Sequence, residues 1–157
     1  DFGCVQSPIN AYMLNLGLES LHVRMARHCE NGQAVAEFLA SHPKIAYVNY
    51  CGLPGDKYLA VAEKYLPNGS CGVVSFGVKG GREAAAAFMG HLKIAAIETH
   101  VADARTCCLH PASSTHRQMN DEQLIAAGVQ PDLVRMSCGL EDKNDLIHDI
   151  AQALDQI

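Results

Sequence analysis

Two short groups of residues in the second half of the chain have side chains suited to chemistry. The first is Arg135, which stands among apolar or small neighbours in residues 133–138 and not in a charged run. A planar guanidinium can grip a carboxylate through two parallel hydrogen bonds. A strand arginine that simply faces solvent is the alternative.

The second group is the run 110–116 (HPASSTH), which is dense in groups that donate or accept hydrogen bonds. These side chains could line a binding site. They could equally form a polar loop whose hydroxyls bond their own backbone. Neither group alone identifies an enzyme.

The seven cysteines form an odd set without a C-x-x-C pair, unlike a small secreted disulfide framework, and favour a reducing cytoplasm. Most are expected to be buried as small apolar side chains. A thiol enzyme using Cys107 or Cys108 with His110 would require a depressed thiol pKa.

The eight histidines show neither H-E-x-x-H nor zinc-finger spacing, so no metal site is predicted.

Composition limits the class of protein. With 157 residues and 48% hydrophobic content, one compact domain covering residues 1–157 is expected. The net charge of −5 without a basic cluster argues against nucleic acid, and no apolar run approaches the ~20 residues that span a membrane. Because the chain starts at Asp1 without an initiator methionine, we expect it to be part of a longer protein.

The chain should open with one long helix over residues 7–41. Ser7 and Pro8 are typical of an N-cap and a first helical residue. Apolar residues recur at helical spacing up to residue 39, and Gly17 is the predicted bend.

Residues 44–157 are predicted to form an α/β layer. Strands are expected at 45–50, 73–78, 94–97 and 133–138, and helices at 56–65, 82–92, 121–127 and from Asp142 onwards, with Asp121 and Asp142 as caps. Residues 98–120 are expected to be irregular. The predicted fold is therefore a sheet of about four mainly antiparallel strands with helices on one face. In the last strand, Val134, Met136 and Cys138 should face opposite to Arg135.

Several blocks of sequence together resemble the Cys/Met-metabolism PLP-dependent enzymes and cover almost the whole chain. They are 7–11 (SPINA), 17–21 (GLESL), 28–31 (HCEN), 48–53 (VNYCGL), 110–116 (HPASSTH) and 134–141 (VRMSCGLE). Within the family, 28–31 and 74–81 (VSFGVKGG) look most like O-acetylhomoserine sulfhydrylase. Cystathionine γ-synthase, cystathionine γ-lyase and methionine γ-lyase remain open.

The resemblance implies the small C-terminal domain of a fold-type-I enzyme, joined by the 7–41 helix to a large domain that holds pyridoxal 5′-phosphate. The family's cofactor lysine precedes the SPINA block, and no lysine precedes Ser7 here. We therefore expect no catalytic residue, no cofactor and no activity in this chain alone. The missing large domain, an amino-acid substrate and further copies in a homo-oligomer, a tetramer at full length, are the implied partners.

The resemblance also assigns substrate-binding positions. The α-carboxylate arginine of the family falls on Arg135, and the threonine of its His-Pro-Ala block falls on Thr115. A family serine or asparagine falls on His100, whose imidazole could still donate a hydrogen bond. Composition and periodicity alone are also compatible with a non-catalytic α/β module that binds a ligand or a partner.

Overall fold

A computed structural model describes residues 3–157 and shows an α/β arrangement with one five-stranded sheet. The elements along the chain are α1 Pro8–Glu19, α2 Leu21–Ser41, β1 Ile45–Asn49, α3 Leu59–Tyr65, β2 Val73–Val78, α4 Gly81–His91, β3 Ala96–Ile97, β4 Cys107–Leu109, a 3-10 turn Pro111–Ser113, α5 Asp121–Ala126, β5 Leu133–Ser137 and α6 Lys143–Asp155.

The sheet has the strand order β1-β2-β5-β4-β3. β2 and β5 are antiparallel, as are the pairs β1/β2 and β4/β5, while β3 and β4 run parallel. The α/β class and the mainly antiparallel sheet are thus confirmed. The strand count was wrong by one, because β4 lies inside the segment 98–120 that was predicted to be irregular.

Helices α2, α4 and α6 pack against one face of the sheet, as predicted. Their buried apolar residues join the inward side chains of β2 and β5 in one core. Val134, Met136 and Cys138 have no exposed surface, which confirms the alternation along the last strand. Because each strand residue alternates in direction, Arg135 belongs to the face that these helices leave uncovered.

The opening helix is broken at Ser20, not at the predicted Gly17. Gly17 stays helical, whereas Ser20 has φ −102° and ψ 6°. The Ser20 hydroxyl accepts a hydrogen bond from Nε of Arg24 at 3.2 Å, and Nη2 of Arg24 donates to the Gly17 carbonyl. The Arg24 side chain thus connects Ser20 to Gly17 across the break, while Gly17 itself remains helical.

The predicted caps are largely correct. The Ser7 hydroxyl accepts from the backbone N–H of Asn10, and Asp142 accepts from that of Asn144. The cap of α5 is Asn120 and not Asp121, since the Asn120 and Gln123 side chains exchange hydrogen bonds with each other's backbone.

Helix α1 has no buried residue. Its exposed apolar side chains are Ile9, Tyr12, Met13, Leu14, Leu16 and Leu18. Within residues 3–157, no helix combines the length and the apolar character required to cross a bilayer.

Candidate functional site

Arg135 lies in the middle of β5, opposite Ser75 of β2 and Leu109 of β4. Its Nη2 donates a hydrogen bond of 2.8 Å to the carbonyl of Thr99. Its Nε is buried and has no hydrogen-bond partner among the described residues. An unpaired buried donor costs about 1–3 kcal/mol, so a group that accepts from this guanidinium would be bound favourably.

The segment from Glu98 to Thr106 lies beside Arg135 and is held in place by backbone hydrogen bonds. The N–H of Glu98 donates to Cys108 O at 3.2 Å, and the N–H of Ala102 donates to the Ser137 hydroxyl at 3.0 Å. Ala102 has φ +58°, a left-handed conformation that costs an alanine about 1–2 kcal/mol. A strained residue inside a well-anchored loop often marks a functional segment.

His100 stands in this same segment, one residue after the carbonyl that binds Arg135. Its Nδ1 lies 3.0 Å from Oε2 of Glu98 and 3.6 Å from Oδ2 of Asp103. The imidazole side chain is 61% exposed. His100 is therefore next in the chain to the residue that binds Arg135, and its ring is oriented by two carboxylates.

Thr115 is exposed, and its Oγ1 lies 2.9 Å from Nδ1 of the adjacent His116. Within the described part of the chain, it makes no hydrogen bond to Arg135 or His100. Of the three residues assigned by resemblance, His100 follows the residue that binds Arg135, and Thr115 lies in the turn after the 3-10 turn Pro111–Ser113.

The polar run 110–116 is largely bonded to its own surroundings. Nε2 of the buried His110 lies 2.8 Å from Pro131 O, so this nitrogen carries the proton and donates. Nδ1 consequently accepts from the Ser113 hydroxyl. The Ser114 hydroxyl donates to the His110 carbonyl at 2.7 Å. For these three residues, the polar-loop interpretation describes the structure.

The thiol-enzyme alternative loses its support. Burial raises the pKa of the Cys108 thiol, and burial together with the Asp103 and Glu98 carboxylates raises that of Cys107. Both ring nitrogens of His110 are already used. A thiol with a raised pKa is a poor nucleophile at neutral pH, and His110 is not available as its base.

The block 28–31 holds the turn that follows β5. Nδ1 of His28 donates to Cys138 O at 2.7 Å, and Nδ2 of Asn31 donates to the carbonyls of Gly139 and Glu141 at 2.9 and 2.8 Å. Both side chains are buried. This block therefore fixes the end of the strand that carries Arg135, and its role is positioning.

A second set of hydrogen bonds joins this turn to Thr106, the residue before β4. The sequence analysis did not predict it. The Glu141 carboxylate accepts from the Thr106 backbone N–H and hydroxyl at 2.7 and 2.8 Å, and Thr106 Oγ1 accepts from Gly139 N–H at 2.8 Å. A Cβ on Gly139 would meet the Arg105 carbonyl carbon at 2.5 Å. The close approach explains why glycine stands at this position.

Glu98 and His100 of the segment 98–106 form a group of potential metal ligands with Cys107 of β4. No spacing in the sequence predicted this group. The ligand atoms of Glu98, His100 and Cys107 all lie within 4.8 Å of one another. Cys107 comes from the unpredicted β4, so the sequence carried no signal that these three residues meet.

Three of the six lysines connect distant parts of the chain. Nζ of Lys44 donates to Leu154 O and Ile157 O, that of Lys79 donates to Pro43 O, and that of Lys143 pairs with Glu30 at 2.9 Å. No lysine occurs in the blocks 7–11, 110–116 or 134–141. Lys79, the lysine of the block 74–81, is bound to Pro43 O, so the matching blocks present no free amine for the aldehyde of pyridoxal 5′-phosphate.

Known proteins resemble this chain along its whole length. O-acetyl-L-homoserine sulfhydrylase of Leptospira meyeri is 44% identical over 100% of the chain and 36% of its own length. Homocysteine synthase of Schizosaccharomyces pombe is 43% identical over 99% of the chain and 36% of its own length. L-methionine gamma-lyase of Treponema denticola is 39% identical over 99% of the chain and 38% of its own length. The chain thus spans little more than a third of these relatives.

A solved structure agrees with the sequence relatives. A Campylobacter jejuni protein assigned as an O-acetylhomoserine (thiol)-lyase, which contains N′-pyridoxyl-lysine-5′-monophosphate, superposes with a TM-score of 0.90 at 38% identity, over 99% of this chain and 37% of that one. The family of Cys/Met metabolism PLP-dependent enzymes matches residues 1–155. By sequence and by fold, this chain belongs to the Cys/Met metabolism PLP-dependent enzymes.

Proposed function

We propose that this chain is the C-terminal, substrate-closing domain of a PLP-dependent O-acetylhomoserine sulfhydrylase. The whole enzyme would replace the acetate of O-acetylhomoserine by sulfide or a thiol, giving homocysteine or methionine. The observation that carries the proposal is the Arg135 guanidinium, whose buried Nε has no partner in residues 3–157 and whose Nη2 is already oriented by Thr99 O.

Arg135 would bind the α-carboxylate of the substrate and would transfer no proton. A bidentate contact fixes both the position and the tilt of the amino acid, and this orientation is what a reaction at its α-carbon requires. His100 would donate a hydrogen bond beside that carboxylate from Nε2, since its Nδ1 lies against the Glu98 and Asp103 carboxylates. Thr115 would contribute only if its turn approaches when the two domains close.

The cofactor chemistry would belong to the large domain outside this sequence. The exposed apolar side of α1, which no described residue covers, fits a helix that packs along that domain. The full-length enzyme would be a homo-oligomer, a tetramer in the simplest case, in the cytoplasm. This location agrees with the free thiols of Cys29, Cys51, Cys71, Cys107, Cys108 and Cys138.

The test compares two reactions of the full-length enzyme under the same conditions. We expect homocysteine from O-acetylhomoserine plus sulfide at a higher kcat/KM than α-ketobutyrate from methionine. The reverse order would favour a γ-lyase, to which the chain is also similar. Absence of both reactions would reject the proposal.

The 157-residue chain itself should neither retain pyridoxal 5′-phosphate after gel filtration nor convert O-acetylhomoserine and sulfide. The expected inactivity follows from the position of the family's cofactor lysine, which precedes the SPINA block, because no lysine occurs in residues 1–6 of this sequence. Turnover by the purified chain would contradict it.

A further inference from the structure

The mixed group of Glu98, His100 and Cys107 has a use that the proposed function does not require. Its three ligand atoms, a carboxylate oxygen, an imidazole nitrogen and a thiol sulfur, lie within 4.8 Å of one another. The Asp103 carboxylate reaches the same imidazole. We propose that Glu98, His100 and Cys107, with Asp103 as the fourth ligand, bind a thiophilic divalent cation, for which Zn²⁺ is the best match.

The distances suit a tetrahedral ion. Zinc lies about 2.3 Å from sulfur and about 2.0–2.2 Å from nitrogen and oxygen, so its ligand atoms stand roughly 3.3–3.7 Å apart. Here Glu98 Oε2 lies 3.0 Å from His100 Nδ1 and 3.9 Å from Cys107 Sγ, and Asp103 Oδ2 lies 3.6 Å from that Nδ1. The ligand atoms of Glu98, His100 and Cys107 lie within 4.8 Å of one another, so rotation of the partly exposed Glu98, His100 and Asp103 side chains would have to bring them toward the buried Cys107 sulfur to complete the geometry.

The ligand types select the metal. Ca²⁺ and Mg²⁺ prefer sites made entirely of oxygen, whereas sulfur and imidazole ligands favour zinc and its neighbours in the first transition row. The two carboxylates add the negative charge that offsets a divalent ion. A neutral thiol must release its proton on binding, so proton release should accompany uptake of the ion.

The ligands are fixed by the backbone before any ion arrives. Cys107 is paired with Ala96 of β3 and with Ser137 of β5. Glu98 is tied through its N–H to Cys108 O, and Asp103 Oδ1 accepts from Arg105 N–H at 3.0 Å. A preorganised site loses less conformational entropy when it binds.

The site is open to solvent, and Arg105 would compete with a cation for its carboxylates. The side chains of His100 and Glu98 are 61% and 32% exposed, while Cys107 is buried behind them. Arg105, itself 62% exposed, lies 3.4 Å from Glu98 Oε2 and 3.7 Å from Asp103 Oδ1. The cation would displace this guanidinium, so loss of Arg105 should strengthen binding.

The test uses the reduced, chelator-treated 157-residue chain and Zn²⁺ alone in a calorimetric titration, with Co²⁺ as a spectroscopic substitute. We expect one ion per chain and a thiolate-to-Co²⁺ charge-transfer band. Cys107→Ser should abolish the band, and both Cys107→Ser and His100→Gln should weaken Zn²⁺ binding by roughly 100-fold or more, since loss of a group that merely orients a ligand costs 10- to 100-fold. Arg105→Ala should tighten it several-fold.

Matched controls separate this site from ordinary surface binding. Cys51→Ser removes a different thiol, and His148→Gln removes an exposed imidazole on another element; both should leave the titration unchanged. His100 is exposed, so its variant should fold normally even if Cys107→Ser does not. Absence of Zn²⁺ binding, a cobalt band that survives Cys107→Ser, or one that disappears in Cys51→Ser would overturn the proposal.

Discussion

The two faces of the sheet differ in what covers them and in what their side chains can do. On one face, Phe76, Val134 and Met136 are completely buried under α2, α4 and α6. On the other face, Ser75 and Arg135 are only partly buried, and Arg135 bonds to the segment 98–106. Alternate residues of one strand therefore have different surroundings: Val134 and Met136 of β5 stabilise the core, and Arg135 between them is the residue that we propose binds the substrate.

The largest expected effect is on the uncovered face. In the full-length enzyme, Arg135→Ala should lower kcat/KM by more than about 100-fold, because both hydrogen bonds to the carboxylate disappear. Arg135→Lys keeps the charge but loses the planar fork, and should cost roughly ten- to a hundred-fold, equivalent to about 1.5–3 kcal/mol. Steady-state kinetics per folded active site, with thermal unfolding recorded alongside, measure both.

A structural role for the arginine gives the opposite pattern. If Arg135 only supported the fold, both variants would lower the melting temperature while the folded enzyme kept its normal kcat/KM. Near-wild-type kinetics in Arg135→Ala would remove the residue from the substrate site and erase the functional difference between the two faces.

The adjacent residue on the covered face provides the matched experiment. Met136→Ala leaves a cavity in the core and should lower the free energy of unfolding by about 2–5 kcal/mol. Urea denaturation of the 157-residue chain measures this loss. In the enzyme, kcat/KM per folded site should stay close to that of the parent. A large kinetic defect in this variant would show that the faces are not independent.

The covered face was predictable from the sequence because the local periodicity of apolar residues specifies it. Alternation in 133–138 placed Val134 and Met136 inside and Arg135 outside, and helical spacing identified α2 and α6. The strand β4 was missed because it has three residues, pairs with the two-residue β3, and pairs with β5 over a long sequence separation. Such pairing leaves no periodic signal in a segment so short.

The uncovered face was predictable only in part. The alternation in 133–138 placed Arg135 on this face, and its assignment as the carboxylate-binding residue rests on the family resemblance. Its partner, the Thr99 carbonyl, is a backbone atom and has no sequence signature. The approach of Cys107 to Glu98 and His100 depends on the parallel β3/β4 pair, which was not predicted. Contacts that a loop makes with residues distant in sequence are the part of a site that is hardest to predict from a single sequence.

Helix α1 extends the comparison to a surface with no cover at all. Leu14 and Leu18 are 62% and 61% exposed and lie one turn apart. We expect the 157-residue chain to associate into dimers or larger species, since burying each leucine is favourable by about 1.5–3 kcal/mol. The double change Leu14→Glu with Leu18→Glu should shift sedimentation toward monomer, and Glu19→Gln should not. A monodisperse parent chain at high concentration would contradict this expectation.

The smallest expected effect concerns backbone strain in the segment 98–106, which binds Arg135 through the Thr99 carbonyl. Ala102 has φ +58°, whereas a glycine adopts this conformation without steric cost. Ala102→Gly relieves about 1–2 kcal/mol in the folded chain but loses about 0.4–1 kcal/mol by making the unfolded chain more flexible, so a net gain of roughly 0.5–1 kcal/mol is expected. Ala104→Gly, in the same segment but without a positive φ, should instead destabilise by several tenths of a kcal/mol because only the unfolded-state term acts. Urea denaturation of both variants under identical conditions gives the two signs. Equal destabilisation by both glycines would mean that the segment stores no strain, and the two faces of the sheet would then differ in cover and chemistry but not in backbone energy.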